Sequence, residues 1–190
     1  MTTHDSTTEE QYRRAPTDGL VIGAIVGALW ALIILASRIF SWDQLELIAA
    51  LGGKKYVLVT SLIFPATGWL TGLWQKAAIS RYHGTHYKLR VKAITAVMAM
   101  LCGVILCCKT DYCEGFEGFP EAKEEIVYIS VAAVVFLLAG WILGAASVAW
   151  RGDKYFRVEM GVIATITLFI STIAWYFVAG AINFVFFFEF

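Results

Sequence analysis

Five long runs of apolar residues dominate this sequence, and their cores contain no Asp, Glu, Lys, Arg or His. A helix needs about 20 apolar residues to cross the roughly 30 Å hydrocarbon core of a bilayer. Because the bilayer offers no water to backbone groups, each run is expected to form a helix whose hydrogen bonds are internal. The predicted spans cover residues 20–40, 56–75, 91–108, 126–150 and 160–182.

The composition agrees with a membrane rather than an aqueous environment. Hydrophobic residues make up 59% of the chain and charged residues only 16%, whereas soluble domains average about 45–50% and 25%. Fifteen basic residues balance fifteen acidic ones, so the bulk charge gives no indication of nucleic-acid binding. We therefore predict an all-α integral membrane protein, a five-transmembrane helix bundle whose first partner is the lipid bilayer.

The segments outside the spans define the predicted organisation. Residues 1–18 form a tail, and residues 19–190 form a single five-helix membrane domain. Residues 41–53 are typical of a short amphipathic helix lying at the membrane interface, or equally of a packed connector between helices. Residues 109–125 form an acidic loop on the exported side, and this loop contains Cys113.

The distribution of Lys and Arg sets the predicted orientation, because cytoplasmic loops are enriched in these residues. The tail and the loops after the second and fourth spans together hold ten of them, and the opposite segments hold five. The N-terminus is therefore predicted in the cytoplasm and the C-terminus outside, in a cell (inner or plasma) membrane. The basic residues predicted to contact anionic headgroups are Arg81, Lys88, Arg90, Arg151, Lys154 and Arg157.

The second and fourth spans share a pattern of Phe, Gly and Trp. One reads FPATGWLTG from Phe64, and the other reads FLLAGWILG from Phe136. Each span leads into a basic, aromatic loop and then into another span. The pattern predicts one N-terminal helix followed by two tandem helical hairpins of the same orientation, related by a pseudo-twofold axis along the membrane normal. Coincidence between Gly- and Trp-rich runs is the alternative.

Glycine recurs every four residues on three of the spans. Small residues let helix backbones approach closely in lipid, where little hydrophobic force draws helices together. We therefore expect helix-packing faces, either within the bundle or toward partners, although glycine is also common in membrane helices generally. The glycines concerned are Gly19, Gly23, Gly27, Gly68, Gly72, Gly140 and Gly144.

Residues suited to cofactor, metal or catalytic chemistry are sparse. No cofactor, metal or catalytic residue is predicted, because no ionisable group lies near the middle of a predicted span and a zinc site needs three or four ligands. His83 and His86 are assigned to a solvated basic loop, a shared metal being the alternative. Cys107, Cys108 and Cys113 are candidates for a disulfide in an oxidising compartment, with plain thiols or a redox or metal centre as the alternatives.

These features favour a non-enzymatic accessory, assembly or regulatory subunit that docks with itself or with a larger membrane complex. The glycine faces, the short loops and the lack of chemistry within the spans support this hypothesis. The alternative is a small transporter or channel for a neutral or weakly charged solute, working as an oligomer, which the repeat and Pro65 support. A thiol enzyme using the exported cysteines is a third hypothesis.

Cysteine labelling checks the predicted topology. Lys88→Cys and Glu117→Cys are introduced singly, in a background whose native cysteines are replaced by serine. We expect a membrane-impermeant maleimide to label Glu117→Cys in intact cells and Lys88→Cys only after permeabilisation, because the two loops are predicted on opposite faces. Labelling of both variants without permeabilisation contradicts this layout.

Overall fold

The computed structural model describes residues 10, 12–39, 54–81, 86–109, 122–151 and 153–187, and these residues form helices and short turns. This confirms the all-α prediction. The predicted interface segment 41–53 and Cys113 lie outside the described residues. The five long helices are α1 (Ala15–Ile39), α2 (Lys54–Arg81), α3 (Tyr87–Lys109), α4 (Ala122–Trp150) and α5 (Phe156–Phe187).

Four of the helices are long and apolar enough to cross a membrane. The qualifying stretches are Ala15–Ile33, Tyr87–Leu106, Ile126–Trp150 and Phe156–Ile182, in α1, α3, α4 and α5. The second helix, α2, is 28 residues long and carries Pro65 in its interior. Its crossing of the membrane stays a prediction.

Large apolar side chains lie on the outside of the bundle as well as within it. Leu62, Phe177 and Val185 are exposed at 67%, 68% and 70%. Soluble proteins rarely expose large contiguous apolar patches, whereas lipid is a favourable surrounding for such side chains. The outward-facing residues therefore agree with the four apolar helices in indicating a membrane-embedded protein.

The helices contact one another in chain order and close on themselves. The most extensive packing joins α1 to α2 and α3 to α4, and further contacts join α2 to α3, α4 to α5 and α5 to α1. The first and last helices lie side by side in the same direction, since Asp18 contacts Arg157 and Trp30 contacts Phe169 farther along both helices. The described helices thus form a closed ring.

Glycine brings the backbones of α1 and α2 together. Gly19 faces the backbone of Gly68, and Gly23 faces the backbone of Phe64. One turn before Gly19, the carbonyl of Ala15 faces Gly72. These contacts are spaced four residues apart and run in opposite directions along the two helices. A Cβ atom at any of the three α1–α2 glycine contacts would overlap backbone atoms, so only glycine permits this approach.

A second close contact joins α3 to α4, with small residues on both sides. A Cβ added to Gly140 would lie 2.7 Å from the Cα of Ala96, and a Cβ added to Gly144 would lie 2.7 Å from the Cα of Lys92. Gly103 faces the ring of Phe136. The two patterns beginning at Phe64 and Phe136 therefore both face the preceding helix of the chain.

Substitution of Gly68 is expected to destabilise the protein far more than substitution of Gly180. A Cβ at Gly68 would overlap the Gly19 backbone, whereas nothing lies within 4 Å of a Cβ at Gly180. Forced repacking of this kind costs about 1–3 kcal/mol. We expect Gly68→Ala to lower the free energy of unfolding in detergent micelles by that amount. Gly180→Ala is the matched control, and an equal loss in both variants contradicts the assignment.

Candidate functional site

A cavity of about 190 Å³ lies inside the ring and is lined by residues of all five helices. Along α1 it extends from Ala15 to Val26, a distance of about 16 Å at the helical rise of 1.5 Å per residue. Phe64 and Phe136 line it together with Val26. Both phenylalanines are buried, and Phe64 packs in one apolar cluster with Val26.

The cavity follows from the small residues on the inner faces of the helices. Gly19, Gly68 and Gly72 line it on one side, and Ala99 and Gly103 line it on another. Because these residues carry little or no side chain, they bring paired backbones together while leaving the centre of the ring unfilled. The sequence features that allow close pairing of helices thus also produce the cavity.

Polar side chains line the half of the cavity toward the start of α1. Thr71 donates a hydrogen bond of 2.7 Å to the carbonyl of Thr67 within α2. The Nε2 group of Gln75 donates a bond of 3.0 Å to Thr95 Oγ1, which joins α2 to α3. Ser147 is buried in the same wall. This half of the cavity is therefore able to bind polar groups.

Arg151, directly after α4, brings a positive charge to this end of the cavity. Its Cζ atom lies 4.0 Å from the ring centroid of Tyr12 and 5.3 Å from that of Phe156. Its Nε and Nη1 atoms are buried and have no hydrogen-bond partner among the described residues. Burial lowers the pKa of Arg151, while Tyr12 and Asp18 act in the opposite direction. The guanidinium keeps its charge, because its unperturbed pKa is far above neutrality.

An ion pair lies next to this arginine. Nε of Arg157, at the start of α5, donates a hydrogen bond of 2.8 Å to Oδ1 of Asp18 in the first turn of α1. Asp18 is only 8% exposed. It is also the acidic group whose charge raises the pKa of Arg151. One buried carboxylate therefore bonds to Arg157 and interacts electrostatically with Arg151.

The predicted headgroup-contacting residues occupy different environments. Lys88 and Lys154 are exposed, and Arg157 is exposed apart from its bond to Asp18. Arg90 is half-buried. Arg151 lines the cavity, which sequence reasoning did not anticipate. The side chain of Arg81 lies outside the described residues.

The remaining predicted residues add little to the site. The side chains of Cys107 and Cys108 are not among the described ones, and Cys102 is a free cysteine at the cavity wall. In the described part of the chain, no three His, Cys, Asp or Glu residues lie close enough to hold a metal ion. Gly27 is buried in α1. The disulfide stays a prediction.

Sequence reasoning missed Asp18, Gln75 and the inward placement of Arg151. A signal for each was present, since all three are polar residues at the ends of apolar runs. Their meeting depends on which helices become neighbours. The spacing of residues along the chain does not specify this.

Comparison with known proteins supplies no assignment: no protein-family model, no curated protein and no solved structure matches the chain. The function is therefore inferred from the cavity and the charged residues at its end.

The buried phenol of Tyr12 is expected to make stability depend on pH in alkaline solution. Desolvation by burial raises the pKa of Tyr12 from 10.0 to about 12. Between these values the unfolded chain loses this proton and the folded protein keeps it, so stability falls as pH rises through this window. We expect Tyr12→Phe, measured by unfolding in detergent from pH 9 to about 12, to remove part of this fall. Identical pH profiles for the two proteins contradict the burial of Tyr12.

Proposed function

We propose that this protein binds a small solute in its central cavity and carries it across the membrane. The observation that supports this proposal is the cavity of about 190 Å³ inside the ring, lined by all five helices and polar at one end. Ligand sites typically combine apolar walls with a few converging polar groups. The proposal adopts the transporter alternative reached from the sequence, with the solute held within one chain.

The arrangement of the helices suggests how the cavity opens. The pairs α1–α2 and α3–α4 each contain one copy of the Phe-Gly-Trp pattern, and both copies face the preceding helix. We assign the internal repeat to these pairs, with α5 completing the ring. The hairpins α2–α3 and α4–α5 are the alternative grouping. Movement of one tightly packed pair against the other would expose the cavity alternately to the two sides, as in transporters built from repeats.

The proposed orientation follows from the excess of Lys and Arg at one end of the helices. This end, which includes Arg151 and the Asp18–Arg157 pair, is assigned to the cytoplasmic face of a cell membrane. The polar half of the cavity then lies nearest the cytoplasm.

A role as an accessory subunit remains the alternative. Glycine-faced helices were one of its supports, and Gly19, Gly68 and Gly140 pack within the chain. Gly180, in contrast, has nothing within 4 Å of an added Cβ. That single position gives less support to docking than the cavity gives to solute binding.

Uptake by proteoliposomes tests the proposal. The purified full chain is reconstituted and supplied with radiolabelled glycerol, lactate or ethanolamine, which are neutral, anionic and cationic. We expect at least one solute to enter faster than into protein-free liposomes. Ser147→Leu is expected to abolish this uptake because the larger side chain fills the cavity that Ser147 lines.

Ala149→Leu is the matched control. Ala149 is exposed on the outer side of the same helix, so the same side chain is added away from the cavity. We expect its uptake to equal that of the unmodified protein. Uptake no faster than into protein-free liposomes for all three solutes contradicts transport, and co-purification of a stable membrane complex would then favour the accessory role.

A further inference from the structure

We infer that the cavity recognises a small organic anion, a carboxylate with a compact apolar body, and that the carboxylate is bound by Arg151. The inference rests on the proposed function and specifies its substrate class. Three independent features of the structure carry it: the unpartnered donors of the arginine, the excess of positive charge around it, and the apolar walls beyond it.

The unpartnered donors come first. Nε and Nη1 of Arg151 are buried without an acceptor among the described residues. Buried polar groups are nearly always hydrogen-bonded, and a charged donor left unpaired is especially costly. Arg151 lines the cavity, but Nε and Nη1 have almost no exposed surface. An acceptor held in the cavity therefore satisfies these donors once the Arg151 side chain shifts toward it.

The contacts that Arg151 does make use none of those donors. The guanidinium lies over the ring of Tyr12, with Phe156 on another side. Contact with an aromatic face stabilises the cation but uses none of its N–H groups as in-plane donors. The rings therefore stabilise the guanidinium without satisfying its donors.

The local charge favours an anion. Arg151 and Arg157 share a single buried carboxylate, that of Asp18, which is hydrogen-bonded to Arg157. Tyr12 adds no negative charge at ordinary pH, because burial raises its pKa to about 12. Asp153 and Glu159, two acidic residues near the start of α5, are exposed.

The remaining walls favour an apolar body over an inorganic anion. Ile22, Val26, Phe64, Phe136 and Leu143 line the cavity away from Arg151. A cavity of 150 Å³ holds benzene, so a cavity of about 190 Å³ accepts a ligand somewhat larger than benzene. Inorganic phosphate or chloride would leave the apolar part unfilled, and a whole phospholipid is too large.

Benzoate and benzamide form the matched probe pair, because they have nearly the same shape and differ in charge. Binding of each to the full chain is measured by equilibrium titration at neutral pH in nanodiscs of phosphatidylcholine. We expect benzoate to bind at least tenfold more tightly than benzamide, the gain expected of a charge-assisted contact with a buried guanidinium. Equal affinities overturn the inference without affecting the proposed transport.

Substitutions test the role of Arg151 itself. Arg151→Gln is expected to lower benzoate affinity at least tenfold and to leave benzamide affinity unchanged. Lys154→Gln, which removes an exposed cation three residues away, is expected to change neither. Asp18→Asn removes the competing carboxylate and should strengthen benzoate binding about threefold or more. This last variant keeps Arg151, so it tests the inference even if Arg151→Gln does not fold.

Competition distinguishes the possible sources of the anion. Inorganic phosphate that displaces benzoate at equal concentration overturns the requirement for an apolar body. Loss of benzoate binding in nanodiscs of phosphatidylglycerol assigns Arg151 to lipid headgroups and overturns the inference. If glycerol enters proteoliposomes but benzoate does not bind, only the inference fails. If no solute enters and neither probe binds, the proposed function fails with it.

Discussion

Close approach of helix backbones at glycine is the constraint on which the rest of this structure depends. Lipid provides little drive to bring apolar helices together, so their association relies on packing at short range. The contact of Gly19 and Gly23 with Gly68 and Phe64 fixes α1 against α2. Because Asp18 lies in the first turn of α1, the same contact fixes the position of the carboxylate that binds Arg157.

Aromatic residues close the ring between the two tight pairs. Trp30 of α1 contacts Phe169 of α5 with ring centroids 6.4 Å apart. Trp175 of α5 contacts Tyr128 of α4 and donates a hydrogen bond of 2.9 Å to its carbonyl. Bulky residues therefore hold α5 in place, while small residues keep the centre open.

The helices and the membrane character could be predicted from the sequence, since both depend on local runs of apolar residues. Four spans are supported by the described helices, while α2, whose interior contains Pro65, stays a predicted span. Glycine spacing singled out Gly68 and Gly140, but it did not show which helix each would face. The pairing of Asp18 with Arg157 joins residues 139 positions apart. Such a contact depends on the order of helices around the ring, which local sequence patterns do not determine.

Arg151 shows why the position of a charge in the fold matters more than its contribution to a charge count. In the sequence it is one of ten basic residues that set the predicted orientation. In the structure it lines the cavity, against Tyr12 and Phe156. A buried guanidinium without an acceptor is costly. The anion proposed above would pair with it, and its binding would then stabilise the contacts of α4 and α5 with the start of α1.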